Sequence, residues 1–460
     1  MRPARMTPTR RGRTRLATRE PAHLALAPLL AAILLWLPLT QAKAVPAFAV
    51  QTGRPCSACH VGGFGPQLTP FGREFKLGGY TMRTNAFNVP VSAMAVISYD
   101  HTASNQPPIP DFRANDNLAV DQISLFIAGG AGQHFGGFVQ GTYDGIGKAF
   151  HWDNLDLRAV TQATIAKAAL VLGLSVNNAP TVQDVFNTLP AWGFPYTTSS
   201  LNPSPGAAPI IGSFAQNTIG VTAYAWIANE IYAEVGGYRS PSSGFLIRAG
   251  IDPTSPGNIA GTAPYGRVAF DKNFGDRNFE VGTFVLSANI YPGHDQTVGL
   301  TDHYTDVGAD ASFQLFAARK NVVTVNARYV NETQNLDYSY AEGLAQNQHV
   351  NLHDARMDVS YYWHDRIGFT IQPFDTWGQP DELIYAANRT FKPSSSGVMF
   401  QIDGTPWGDA GSSMGPRFNM RLGLQYTAYT SFDGSGTNYD GMGRSAGANN
   451  TLRVFAWLAY

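Results

Sequence analysis

The sequence predicts an all-β fold, an antiparallel barrel of about 16 strands preceded by a small helical module, and three observations carry that reading. From about residue 94 onward, polar and apolar residues alternate with a period of two in short segments separated by turn signals. Connections between those segments alternate in length, long after odd-numbered segments and mostly short after even-numbered ones. The chain ends on Tyr460, with Leu452, Val454, Ala456 and Leu458 at every second position before it.

Residues 1–44 are set apart from the fold. Seven Arg (Arg2, Arg5, Arg10, Arg11, Arg13, Arg15, Arg19) precede the apolar stretch from Leu24 to Leu39, and Ala42-Lys43-Ala44 follows. Basic, then apolar, then small is the order of a secretory signal peptide, with cleavage expected before Val45. The whole chain holds 32 basic and 33 acidic residues; the leader takes eight of the first and one of the second, leaving a net charge of −8 beyond it. An exported acidic chain is a poor partner for nucleic acid and draws cations.

Two cysteines occur in the chain, Cys56 and Cys59, in Cys56-Ser57-Ala58-Cys59-His60. C-x-x-C-H is the attachment signature of one covalent c-type haem. Two thiols three positions apart on a helical turn can both reach the vinyl groups, and the adjacent imidazole can meet the iron. A disulfide or a thioredoxin-like redox pair fits export as well, but the latter expects a βαβ context. Here the flanks are Gly- and Pro-rich, Thr52-Gly53-Arg54-Pro55 before and Val61-Gly62-Gly63-Phe64-Gly65-Pro66 after. Residues 45–90 form the haem module, with His60 as proximal ligand. Met82 is the expected distal ligand, because Met/His ligation raises the potential; Met94 and His101 compete. Arg73 and Lys76 are candidates for neutralising propionates. A module of roughly fifty residues cannot enclose a haem alone, so it is expected to plug the barrel lumen.

Residues 91–460 are assigned to the barrel. Candidate strands begin near residues 94, 118, 134, 152, 169, 218, 230, 265, 278, 305, 321, 352, 366, 398, 417 and 451. Long connections at 179–217, 240–264, 332–351, 375–397 and 430–449 contrast with turns such as Ala228-Asn229 and His364-Asp365. Outer-membrane barrels have short periplasmic turns and longer external loops, which puts both chain ends in the periplasm. The connection at 403–416 is too long for its side, so the count could be off by a hairpin. A soluble sandwich or propeller is the competing fold, but it needs no terminal aromatic, and no blade-length repeat supports a propeller. On the barrel reading Arg158, Arg328, Asp354, Arg356, Asp358, Arg421 and Arg453 face the lumen, since a charge on the lipid face costs about 2–4 kcal/mol at the midplane. The aromatic, turn-rich segment from Asn177 to Pro195 is expected to be an external loop folding inward. His349 and His353 are assigned to a loop as incidental histidines, and Asp302, Asp306 and Asp310 are ranked as solvated carboxylates.

With these residues in view, the chain resembles the fused monohaem cytochrome–porins of bacterial outer membranes. The match is closest across Pro46-Ala47-Phe48-Ala49-Val50-Gln51-Thr52-Gly53, the Cys56-to-His60 motif, and Leu68 through Tyr80 with its Phe71-Gly72-Arg73 and Phe75-Lys76 pairs. The resemblance implies electron transfer from an extracellular reductant such as Fe(II) to a periplasmic c-type cytochrome or similar acceptor, within outer-membrane lipid. Iron-oxidising members are expected to carry Arg where this chain has Val50, so the resemblance leaves the donor open. Whether to count such a protein as an enzyme is equally open. A diffusion porin or uptake channel, with the haem module as gate or sensor, is the alternative function.

Overall fold

The computed structural model describes residues 46–84, 90–317, 321–409 and 418–460. The leader expected over 1–44 lies outside them. Sixteen strands close into one antiparallel barrel. They are β1 Val91–Thr102, β2 Asn117–Ala131, β3 Phe135–Asp144, β4 Ala149–Ile165, β5 Ala168–Asn177, β6 Ile219–Ile227, β7 Ile231–Arg239 and β8 Ala263–Phe274. The second half comprises β9 Arg277–Tyr291, β10 Asp302–Ala317, β11 Asn321–Asn335, β12 His349–Trp363, β13 Ile367–Gly378, β14 Ser395–Gly404, β15 Asn419–Ser431 and β16 Thr451–Ala459. A two-residue strand, Asn258–Ile259, adds to the rim beside β9. Closure comes from β1 pairing with β16, where Met94 faces Ala459 and Thr102 faces Thr451. All backbone polar groups of the wall can therefore pair between strands, which a lipid-spanning sheet requires.

Strand alternation sorts the side chains. Leu125, Ile127, Val221, Val235, Val268 and Phe369 point outward and are exposed. Each charged residue assigned to the lumen lies on the inward face, and each makes an ion pair or hydrogen bond there. Arg158 meets Asp156 at 3.0 Å, Arg328 meets Asp354 at 3.0 Å, and Arg421 meets Asp403 at 3.3 Å. Asp354 also takes Arg356, Asn326 donates to Asp358, and Arg453 reaches Asp121.

Three expectations need correction. His349 and His353 lie on β12, not in a loop: the strand begins at His349, three residues before the start its alternation suggested, and His353 lies within it. The His353 ring packs against both Tyr329 and Trp377, its centroid 6.1 Å and 5.0 Å from theirs. Asp302, Asp306 and Asp310 are buried on the inward face of β10, not solvated. Ser339 caps Asp302, the backbone N–H of Ile211 donates to Asp306 at 2.9 Å, and Arg267 donates to Asp310 at 2.7 Å. The strand count is not off by a hairpin at the long 405–418 connection, since β14 pairs directly with β15. That connection carries Trp407, buried against Phe418, and Gly408, whose backbone abuts Gly63 of the N-terminal module. Its described residues 405–409 thus form part of the module's seat.

The long connection after β5 does turn inward. Val182, Val185, Phe186 and Leu189 are fully buried. Along its course it meets the wall on many sides: Arg158 donates to Gln183 O, Arg267 ion-pairs with Asp184, Arg328 donates to Thr188 O, Gln372 donates to Phe194 O, and Arg453 donates to Thr197 O.

Candidate haem site inside the lumen

The N-terminal residues build a compact helical module at the end of the barrel where the short turns lie. It contains α1 Pro46–Thr52, α2 Cys56–Cys59 and α3 Pro70–Leu77. Pro55 precedes the first turn of α2, and His60 N–H closes it onto Cys56 O at 2.8 Å. Thr69 joins α3 to that turn. Its hydroxyl accepts from Gly72 N, as a helix N-cap does, and donates to Ala58 O at 2.6 Å. Gly72 is required by the close approach, because a Cβ there would lie 2.2 Å from Cys59 O.

Barrel residues grip the module from several directions. Asn419 on β15 donates to Gly63 O at 3.0 Å and to Cys56 Sγ at 3.2 Å. Arg421 donates to Phe64 O at 3.1 Å, and Phe64 meets Trp457 edge-on at 5.1 Å. Gln51 bridges Tyr80 O, Met82 O and Gly130 N, tying α1 to the chain after α3 and to the β2–β3 turn. Arg73 crosses to Asp271, Asn278 and Ser312 on the opposite wall.

Between this module, the inward loop and the β1–β4 wall lies a cavity of about 310 Å³. Its lining is mainly apolar and aromatic, including Phe48, Phe75, Phe126, Phe138, Trp192 and Trp457. That combination of an apolar wall with a few polar groups is usual for a cofactor pocket. Cys59 and His60 line it; Cys56 lies behind, its Sγ turned to Asn419. Both thiols are free rather than joined in a disulfide. A thioether from Cys56 into the cavity would give up its contact with Asn419.

The electrostatics of the three motif residues agree. Burial pushes both thiols up to about 12. Burial pushes the His60 imidazole down to about 4, outweighing the backbone of Gln67 and Pro66 beside it. At neutral pH the ring is therefore uncharged, the form that binds iron. Its Nδ1 is buried without a hydrogen-bond partner among the described residues. A free thiol pair, a neutral imidazole and an adjoining apolar cavity fit a covalent haem.

The other candidates separate. Lys76 lines the cavity, with Nζ donating to Val182 O at 2.6 Å and Asp184 O at 2.9 Å. Arg73 does not line it and is spent on the wall. Met82 is 45% exposed and borders a different recess, with Glu74, Leu77 and residues 162–171. His101 is exposed at the long-loop end of β1, paired with Asp116 at 2.7 Å. Met94 does line the cavity. Gln122, Gln140, Asp153 and Asn154 also line it, and no motif in the sequence marked them.

Fold and site together define an outer-membrane-type β-barrel whose lumen is occupied by its own N-terminal module and an inward loop. No family model matches the chain, and no curated protein does. Among solved structures it is similar to in-vitro folded OmpT, an outer-membrane protein of Vibrio cholerae, at 8% identity over 83% of this chain and 99% of that one, with a TM-score of 0.42. The anion-selective porin from Comamonas acidovorans aligns at 10% identity over 80% and 98% of the two chains, TM-score 0.43. Pseudomonas putida OprB aligns at 12% identity over 80% and 93%, TM-score 0.44.

Proposed function

We propose that this protein is an outer-membrane electron carrier, with one covalent haem c held inside the barrel at the short-turn, periplasmic end. Cys56 and Cys59 would carry the haem and His60 would bind its iron; when bound, that group supplies one-electron exchange. The observation that carries the reading is the enclosure of the C-x-x-C-H turn. Cys59 and His60 open onto a cavity walled by strands β1–β4 and roofed by the inward loop. The chain's own part is to fix the group, exclude bulk water from it and set its distance from either face. An extracellular reductant would deliver electrons and a periplasmic c-type cytochrome or similar acceptor would take them. Fe(II) is one candidate donor, with the half-buried Val50 standing where iron-oxidising relatives are expected to have Arg.

A diffusion channel gated by the module is the competing reading, and the porin-like barrel accommodates it. What favours the carrier is the filling of the lumen: the loop after β5 touches β4, β8, β11, β13 and β16, and the module occupies the short-turn end. The test uses haem-loaded full-length protein in two formats. In planar bilayers a carrier gives no steady conductance; in liposomes enclosing an oxidised acceptor, an impermeant external reductant reduces the acceptor only when the protein is present. A permanently open pore together with no acceptor reduction would overturn the proposal in favour of the channel.

A further inference from the structure

The cavity poses a question that the C-x-x-C-H motif does not answer: which group faces His60 across it. Few side chains on its wall can ligate iron. Lys76 has its ammonium committed to two carbonyls. Asn187 is spent on Leu68 N, Pro66 O and Trp192 O. Asp153 accepts from Gln140 and Thr142. Tyr80 has its hydroxyl committed to Asp156. Met94, on the lumen face of β1, is the one thioether among the described residues lining the cavity.

We infer that Met94 of the barrel wall, rather than any residue of the N-terminal module, is the second axial ligand of the haem. This rests on the haem reading above. Met94 is linked to His60 through a short chain of contacts. The turn after His60 carries Phe64, Phe64 packs on Trp457, and Trp457 Nε1 donates to Met94 Sδ at 3.1 Å. Phe64, Trp457, Met94 and Tyr196 form one apolar cluster. A thioether sulfur has two lone pairs, so Sδ can accept from Trp457 with one and bind iron with the other. Trp457 is then a positioning residue: it aims the sulfur and draws electron density from it.

The location has a consequence for assembly. Met94 pairs with Ala459 on β16 and Ser124 on β2, so it stands at the seam where the first and last strands close the barrel. The haem would bridge the plug, through Cys56, Cys59 and His60, and the seam, through Met94. Six-coordination is then complete only in the closed barrel.

The experiment takes haem-loaded full-length protein, with heat-modified gel migration confirming that every variant is a folded barrel. Wild type is expected to show the near-infrared sulfur-to-iron(III) charge-transfer band. Met94→Ala loses that band and gains carbon monoxide binding in the reduced state, while denatured pyridine spectra show the haem still attached. Met94→His loses the band but stays closed to carbon monoxide, with a bis-imidazole spectrum. Met82→Ala leaves everything unchanged. Trp457→Phe keeps the band but moves its position and lowers the reduction potential. Persistence of the band in Met94→Ala, its loss in Met82→Ala, or a wild-type spectrum that changes only in Lys76→Gln overturns the assignment. A wild-type protein with no attached haem overturns the haem reading itself, and the pyridine spectrum tells the two failures apart.

Discussion

Replacing Arg73 by Met should loosen the plug, and the structure sets the scale. The guanidinium is 1% exposed and reaches Asn278 at 2.7 Å, Ser312 at 3.1 Å and Asp271 at 3.4 Å. It also lies 5.3 Å from the centre of the Phe186 ring, so one side chain ties α3 to the wall and to the inward loop. Methionine keeps the stem's packing and removes the charge, leaving the carboxylate of Asp271, 6% exposed, without its cation. Breaking a buried ion pair from one side costs about 3–5 kcal/mol. Asn278 still donates to Asp271, at 2.5 Å, which favours the lower end. About 3 kcal/mol is roughly a hundredfold rise in the undocked fraction. Limited proteolysis in detergent, with cuts mapped within residues 46–84, measures that fraction. Adding Asp271→Asn to Arg73→Met should restore most of the protection, because the stranded charge is the main cost. Equal protection of wild type and Arg73→Met would refute an electrostatic latch.

Gly72→Ala puts a methyl 2.2 Å from Cys59 O and should cost about 1–3 kcal/mol of module stability, read as lower haem occupancy by mass spectrometry. Burial pushes the Lys76 ammonium down to about 8 from 10.5, so the docked state sheds its proton first. Protease protection of the module should therefore rise between pH 8 and 10.5 and level off above, and Lys76→Met should flatten the rise. Cys56 is buried and both thiols are pushed up to about 12, which suppresses the reactive thiolate. Haem supplied to an already folded, haem-free barrel should fail to attach, whereas attachment before barrel folding succeeds; mass spectrometry after each order of addition decides.

Much of the barrel was legible because its physics is local. Lipid on one side and a polar lumen on the other force period-two alternation, so each of the sixteen strands starts within three residues of the position its alternation indicated. The inward charges follow from the same rule. Asp302, Asp306 and Asp310 were misjudged because alternation reports which face a residue takes, not what stands opposite. Arg267 and the backbone of Ile211, far off in sequence, turn that face from solvent into interior. At the site, the C-x-x-C-H spacing is legible because Cys56, Cys59 and His60 sit on one short helical turn. Met82 was chosen by proximity along the chain, which does not say which wall a side chain reaches; it is exposed and borders a recess apart from the cavity beside His60.

Alone, the sequence determined a barrel of about 16 strands, their alternating faces, the acidic balance beyond residue 44 and the Cys56-Cys59-His60 spacing, since each depends on neighbours a few residues apart. Only the tertiary structure decided that the module lies inside the lumen, that Arg73 braces the wall while Lys76 borders the cavity, and that Met94 meets that cavity from the closing seam. Those facts depend on contacts between residues tens to hundreds of positions apart, and closure of the barrel is what brings them together.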